Sequence, residues 1–477
     1  MVTRRNLLLA AGVGAVAIPA VACAPPATPA PPGTYGVTVD RITITPSAVG
    51  FPNYLMSGYG YESRRAASVT TDLTATCLAI WDGGVPHVMV SLDVLGVPPS
   101  VNTAIRARIA EIGVALAPER LMLLASHTHN GPALRERPDP EVLISATPAD
   151  LAEIDAYTTW FINAVANLVK VTLTQYRPRE CRLRHARGTA EFSKNRAGDP
   201  LVLSDVPVLS VESPTGEVYA TVFGYGTHPV SGGNQTYFDA DYPGNARTRI
   251  ESARGGKALF VLGAAGDQDP IATGGYGPSP TLVGIHGTIL SAAALTALGS
   301  GAGSFVSGPL STAYDPAVAL PLNVPGTPAE FAELQARYSD RLSLPAPFPV
   351  HAAKALAVLG AGTFPTSVPL PVQRWRFGPG GLRLLALGGE VVSRYDGLIR
   401  SALGGDLWIA GYANEVPCYV CSNEMAERST PTYEGGGEGD FPFVAGGTML
   451  NYGWPLRLKG GAGGVEPTLM AAVTALA

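Results

Sequence analysis

The sequence predicts an α/β protein in which a mixed β-sheet is covered by helices and a site lies on loops at strand ends. Three observations carry that expectation: short apolar runs alternate with longer helical patterns, several runs end in polar clusters, and 56 glycines among 477 residues allow sharp turns between them.

The runs Cys77–Trp81, Val88–Val94, Leu121–Ala125, Val218–Tyr225 and Leu259–Gly263 are a few residues long and rich in Val, Leu and Ile, as strands buried on both faces are. Pro99–Ile112, Pro148–Leu173 and Thr281–Leu298 carry Ala, Leu and Ile at helical spacing. There is no internal repeat, and Gly299–Gly308 is short enough to be a loop within one domain. One catalytic unit is therefore expected over residues 36–477.

Residues 1–23 read as an export signal. Thr3-Arg4-Arg5-Asn6-Leu7-Leu8-Leu9 is a twin-arginine pattern leading into the apolar stretch Leu7–Val21, too short for a permanent spanning helix. The signal ends in Ala20-Val21-Ala22-Cys23, small residues before a cysteine, which makes Cys23 the expected lipidation site, with an idle cysteine behind an ordinary signal as the competing reading. Residues 24–35, rich in Ala and Pro, read as a stiff tether. The expected location is the outer face of the bacterial cytoplasmic membrane or the cell envelope, held there by the lipid anchor, with secretion as the alternative.

Only 15% of residues are charged, the net charge is −5, and no basic run follows the first few residues, so nothing provides a nucleic-acid groove. A neutral lipid or glycan substrate fits better. Cys77, Cys181, Cys418 and Cys421 could form one or two disulfides in an oxidising compartment. Cys418-Tyr-Val-Cys421 lacks the second pair or nearby histidine that a structural zinc site needs.

The chemistry sits at three run ends. Leu121–Ala125 leads into Ser126-His127-Thr128-His129-Asn130-Gly131-Pro132; alternate residues of an extended chain share a side, so both imidazoles are expected to face one cavity and to suit zinc. The competing reading, one core and one surface histidine, is disfavoured by the strand-end setting. Thr221–Tyr225 leads into Gly226-Thr227-His228, followed by Phe238-Asp239-Ala240-Asp241-Tyr242-Pro243-Gly244, and a third run leads into Gly266-Asp267-Gln268-Asp269-Pro270. His87, His185, His286 and His351 have no such setting and read as structural or surface residues.

In order and wording these motifs resemble the neutral, non-lysosomal ceramidase family. Ser126–Pro132 is similar to its Ser-His-Thr-His-Ser-Gly-Pro segment, Asn195-Arg196 to its Asn-Arg-Ser element, Gly226-Thr227-His228 to its Val-His-Gly-Thr strand end, Asp241–Gly244 to its Gly-Asp-Asn-Lys-Gly turn, and Gly388-Gly389-Glu390 to its Pro-Gly-Glu motif. Gly411-Tyr412-Ala413-Asn414 through Tyr419, then Tyr433-Glu434-Gly435, resembles its Ala-Asn…Tyr…Tyr-Glu-Gly stretch. The resemblance implies one zinc ion per chain, held by His127, His228, Glu390 and Tyr419 with Tyr433 as the alternative to Tyr419, and places His129 and Arg196 beside it. In the same matched segments Asn195, Asp241, Tyr433 and Glu434 are expected on the substrate side.

Two departures follow. Where the family carries Gly-Asp-Val-Ser-Pro, this chain has Asp269 in place of the serine, so water activated at the metal is expected to attack a carbonyl, with Asp269 and Asp267 in proton transfer and His129 and Arg196 stabilising the oxyanion. The residues to Ala477 also lack the family's C-terminal β-sandwich. The expected activity is zinc-dependent hydrolysis of an amide or ester bond in an acylated lipid or envelope molecule. Two alternatives stay open: a glycan-cleaving enzyme using Asp239, Asp241, Asp267 and Asp269 as carboxylate pairs roughly 5–10 Å apart, and a non-catalytic ligand-binding surface lipoprotein.

Overall fold

A computed structural model describes residues 34–59, 64–136, 146–299, 303–428, 432–438 and 441–477. The export pattern, Cys23 and most of the tether lie outside the described residues.

Eight strands form the first sheet: β1 (Tyr35–Thr43), β2 (Thr74–Asp82), β3 (Val85–Leu92), β4 (Leu121–Ala125), β5 (Arg179–Thr189), β6 (Asp205–Glu212), β7 (Val218–Tyr225) and β8 (Lys257–Leu262). Their order is β8-β7-β6-β5-β1-β2-β3-β4, with the short strand Ser304–Val306 beside β5. Only β3–β4 and β7–β8 are parallel along this path. A second sheet contains β9 (Leu310–Pro321), β10 (Ser367–Phe377), β11 (Arg383–Leu387) and β12 (Leu407–Ala410) in that order, with β11–β12 parallel. The sequence pointed to one mixed sheet. The second was hidden because β9 and β10 interleave Thr312, Tyr314, Asp315, Pro369 and Arg374 with their apolar residues and so show no continuous run.

The period-2 alternation of side chains sorts these strands into layers. Val88, Val90 and Leu92 of β3 and Phe260 and Leu262 of β8 face a core shared with helices α1 (Pro99–Glu111), α2 (Pro148–Thr174), α3 (Asp241–Arg254) and α4 (Pro280–Gly299). Their neighbours Met89, Leu259 and Val261 face the other way, onto Trp375, Leu384 and Trp408 of the second sheet. That sheet's far face, with Val372, Leu385 and Ile409, is covered by α5 (Pro328–Arg341), α6 (Phe348–Gly360), α7 (Arg394–Leu403) and α8 (Val465–Leu476). The order of layers is helices, sheet, sheet, helices. Both sheets are thus buried on both faces, the physical reason for the apolar runs.

The four histidines read as structural or surface are all buried: His351 meets Trp454 O at 2.8 Å, and His286 lies between the Ser231 and Thr273 hydroxyls at 2.8 and 2.9 Å. Cys77, Cys181, Cys418 and Cys421 are buried free thiols.

The loop before α3 is built on two buried carboxylates. Asp241 accepts from the backbone amides of Ser231 (3.2 Å), Gly232 (2.8 Å) and Tyr242 (2.7 Å), and Asp239 accepts from Asp241 N (2.6 Å). Burial, reinforced by Asp241, pushes Asp239 up to about 7, and burial pushes Asp241 up to about 6. An unfolded aspartate titrates near about 3.9, so between there and about pH 7 the folded state binds more protons and stability falls as pH rises. Asp239→Asn is expected to flatten that fall, seen as a smaller drop in melting temperature from about pH 4 to 7; an unchanged slope would refute the assignment.

The two sheets are stitched by glycine backbones at one edge. Gly411 N donates to Leu262 O (3.0 Å) and Gly266 N to Val391 O (2.9 Å), and a Cβ on Gly266 would stand 2.7 Å from Glu390 O. Gly266→Ala should therefore cost about 1–3 kcal/mol, read as a lower denaturant midpoint; an unaltered midpoint would show the edge to be compliant.

Candidate metal centre

Five strand ends meet at that edge. β4 ends in His127 and His129, β7 in His228, β8 in Asp267–Asp269, β11 in Glu390 and β12 in Tyr412. Loops past the carboxyl ends of parallel strands converge in this way, and here they come from both sheets. The bonds Gly263 N to Tyr225 O (2.9 Å), Tyr412 N to Gly389 O (3.0 Å) and Asn414 N to Leu123 O (2.7 Å) fix the ends to one another.

His127 and His129 do meet, with 3.2 Å between their Nε2 atoms, though not through strand alternation. The strand stops at Ala125, and His127 has a left-handed backbone (φ 64°) that swings its ring into the cavity. Holding such a conformation costs about 1–3 kcal/mol, which the surrounding hydrogen bonds must offset.

The ring hydrogens are assigned by the partners. His127 Nδ1 lies 2.5 Å from Leu95 O and His228 Nδ1 lies 2.7 Å from Ala265 O. A carbonyl oxygen only accepts, so both Nδ1 atoms carry hydrogen, and in the neutral form of either ring Nε2 is then a lone pair directed inward. Glu390 Oε2 faces them at 3.1 Å and 3.3 Å, all three groups being nearly inaccessible to water. Tyr419 Oη is 3.2 Å from His228 Nε2. Acceptors facing acceptors across a buried space repel one another unless a cation or proton stands between them.

The separations also have room for ligands sharing one metal ion. Ligands about 2.0–2.1 Å from a tetrahedral zinc ion stand about 3.3 Å apart, close to the four inward distances of 3.1–3.3 Å found here. The ligand nitrogens of His127, His129 and His228 lie within 4.8 Å of one another and could hold a metal ion. Imidazoles whose second nitrogen donates to a backbone carbonyl are the usual pattern for ligating histidines.

Burial, and then any positive charge on His127 and His228, holds His129 well below the ordinary imidazole range; its Nδ1 is buried without a partner. Burial lowers His228 as well. For Glu390 burial pushes upward, and positive charge on or between the two facing imidazoles is what holds its carboxyl below the ordinary range.

Arg196 closes one side. It donates to Glu434 (Nε, 2.7 Å), Asp269 (Nη1, 3.0 Å), Gly266 O (2.9 Å) and Tyr419 Oη (3.2 Å), and these groups overcome its burial to hold it charged. A cleft of about 390 Å³ lined by Arg196, Ala197, Thr432, Tyr433 and Glu434 opens beside it. Tyr419, not Tyr433, reaches the cluster; the Tyr433 hydroxyl is held by Asn451 while its ring lies 5.5 Å from the guanidinium.

Several sequence-nominated residues are turned elsewhere. Asp267 accepts from Ser393 N (2.7 Å), Ser393 Oγ (2.9 Å) and Asn195 Nδ2 (2.7 Å), bracing the segment after Glu390, and Asn195 Oδ1 accepts from the amides of Ala197 and Asp199. Asp241 accepts from the backbone amides of Ser231, Gly232 and Tyr242 and so braces its own loop. Of the four acids considered for glycoside cleavage, Asp239, Asp241 and Asp267 are therefore committed to holding loops. Three neighbours were not nominated: Tyr412 and Tyr452, which bond Glu390, and Tyr59, whose ring lies 5.1 Å from that of His129. Tyr412 stood within a quoted motif, whereas Tyr59 and Tyr452 carried no local signal.

No family model matches the chain, and no curated protein matches it by sequence. Among solved structures it is similar to the neutral ceramidase from Pseudomonas aeruginosa, with a TM-score of 0.64 and 19% identity over 88% of this chain and 72% of that one. It is also similar to a ceramidase complexed with C2, with a TM-score of 0.61 and 18% identity over 90% of this chain and 77% of the other. At these identities the likeness is one of fold: the chain has a ceramidase-like α/β architecture, with a histidine cluster at its strand ends that could hold a metal.

Proposed function

We propose that this protein is a zinc-dependent hydrolase that cleaves an amide or ester bond of an acylated lipid or envelope molecule. The observation carrying this reading is the buried set of inward-facing donors, His127 Nε2, His228 Nε2, Glu390 Oε2 and Tyr419 Oη, spaced 3.1–3.3 Å apart along their chain of contacts. The fold likeness to ceramidases supports the reaction class.

Those four residues would hold the ion. When bound, zinc supplies Lewis acidity and brings the pKa of a bound water toward about 7. Arg196, charged and fixed by Glu434 and Asp269, directs its guanidinium toward the developing negative charge of an attacked carbonyl. His129, neutral at rest by its lowered basicity and with Nδ1 unengaged, is placed to relay to the leaving group the proton that Asp269 takes from the attacking water. Asp269 cannot form the acyl intermediate that a serine would, and serves as proton acceptor; its Oδ1 is shared with Arg196, which orients it. Asn195 and Asp267 act indirectly by holding the Arg196 and Glu390 segments, while Tyr433 and Glu434 border the cleft for the substrate's polar part. The twin-arginine pattern and Cys23 support placement at the outer face of the cytoplasmic membrane through a lipid anchor, which acyl labelling of the wild type against Cys23→Ala tests.

His228→Ala is expected to lose both the bound zinc and hydrolysis of a fluorescent acyl amide, and a chelator should reproduce the loss in the wild type; retention of both would overturn the metal assignment. Asp269→Asn should keep its zinc while kcat falls about 10²–10⁴-fold, the usual range for a positioned proton acceptor. An unchanged kcat would move that role to His129.

A further inference from the structure

Glu390 makes two contacts that the proposed chemistry does not use. Its Oε1 lies 2.6 Å from the Tyr452 hydroxyl, and its Oε2, the oxygen facing both imidazoles, lies 3.2 Å from the Tyr412 hydroxyl. An ionised carboxylate has no hydrogen, so both phenols donate. The terminal torsion of a glutamate is broad and roughly two-fold, and nothing in the backbone of Glu390 fixes the plane of its carboxylate. The tyrosines do so.

They arrive from different layers. Tyr412 follows β12, is buried, has a left-handed backbone (φ 54°) and packs its ring 4.4 Å from that of His127. Tyr452 comes from the segment near the chain's end, which is pinned on both sides: Trp454 Nε1 donates to Pro417 O (2.8 Å), His351 on α6 meets Trp454 O (2.8 Å), and Tyr338 on α5 donates to Pro455 O (2.6 Å). The outer helices of the second sheet thereby set the position of the Tyr452 hydroxyl.

We propose that Tyr452 and Tyr412 are positioning residues that clamp Glu390 so that it presents a single oxygen, Oε2, to the metal. The clamp rests on the zinc reading above and extends it to residues that touch neither ion nor substrate. A carboxylate held by one oxygen would take one coordination position instead of two.

The test is zinc affinity of the full chain by chelator competition, with the visible spectrum of the cobalt-substituted protein and the melting temperature of the metal-free protein as companion readouts. Tyr452→Phe is expected to weaken zinc about 10–100-fold and to shift the cobalt spectrum, the usual effect of losing a partner of a ligand. Its metal-free melting temperature should stay near that of the wild type. Tyr412→Phe, whose contact is longer, should weaken zinc less, and Tyr276→Phe, an exposed tyrosine, should leave affinity unaltered. Wild-type affinity and spectrum in Tyr452→Phe would overturn the clamp while leaving the zinc reading intact, as would a lowered metal-free melting temperature with affinity unchanged. A wild-type chain that takes up no zinc would overturn both.

Discussion

A carboxylate buried between two imidazoles whose hydrogens point away from it is the constraint on which the site depends. Glu390 cannot be hydrated where it lies, and burying an unpaired charge is too costly for a fold to tolerate. Had His127 and His228 kept their hydrogens on Nε2, they would have satisfied it directly. Instead Leu95 O and Ala265 O claim those hydrogens at Nδ1. The arrangement therefore favours a cation or a proton at its centre, and the two backbone carbonyls set that preference.

The four-layer fold makes this affordable. His127, Tyr412 and Asp241 all hold left-handed backbone at or near the site, and each costs about 1–3 kcal/mol. Strand ends from two sheets must also approach closely enough that Gly266 and Gly411 have no room for a side chain. Burial of both faces of both sheets provides the compensating stability, since each fully buried Leu or Phe contributes about 1.5–3 kcal/mol. Local strain and global burial are coupled in space because the loops that carry the strain are the continuations of the strands that carry the core.

Asp269 and Arg196 are held to one another by charge. A serine beside a guanidinium would be a nucleophile near an oxyanion donor. The carboxylate of Asp269 forms an ion pair with Arg196 at 3.0 Å, which orders both side chains. Glu434, almost fully buried, completes the pair from a distant segment, so the guanidinium is neutralised on two sides and its plane is fixed by four acceptors.

Much of the first sheet was legible because strands such as Leu121–Ala125 and Val218–Tyr225 are buried on both faces and must read as continuous apolar runs. His127, His228 and Glu390 were legible as well, since each follows such a run and alignment with a known motif order singled them out. The second sheet was not, because prolines and polar residues in β9 and β10 mask their alternation. Nor could local pattern tell Asp241 and Asp267, which brace loops, from Asp269, which faces Arg196: all three sit in the same kind of acidic turn. Sequence alone determined which residue types follow which strands, because hydrophobic periodicity and turn chemistry are local. Only the tertiary structure decided which way each carboxylate and imidazole points, and brought Tyr452 onto Glu390 from 62 residues away, because hydrogen-bond partners are chosen by distance in space and leave no trace in spacing along the chain.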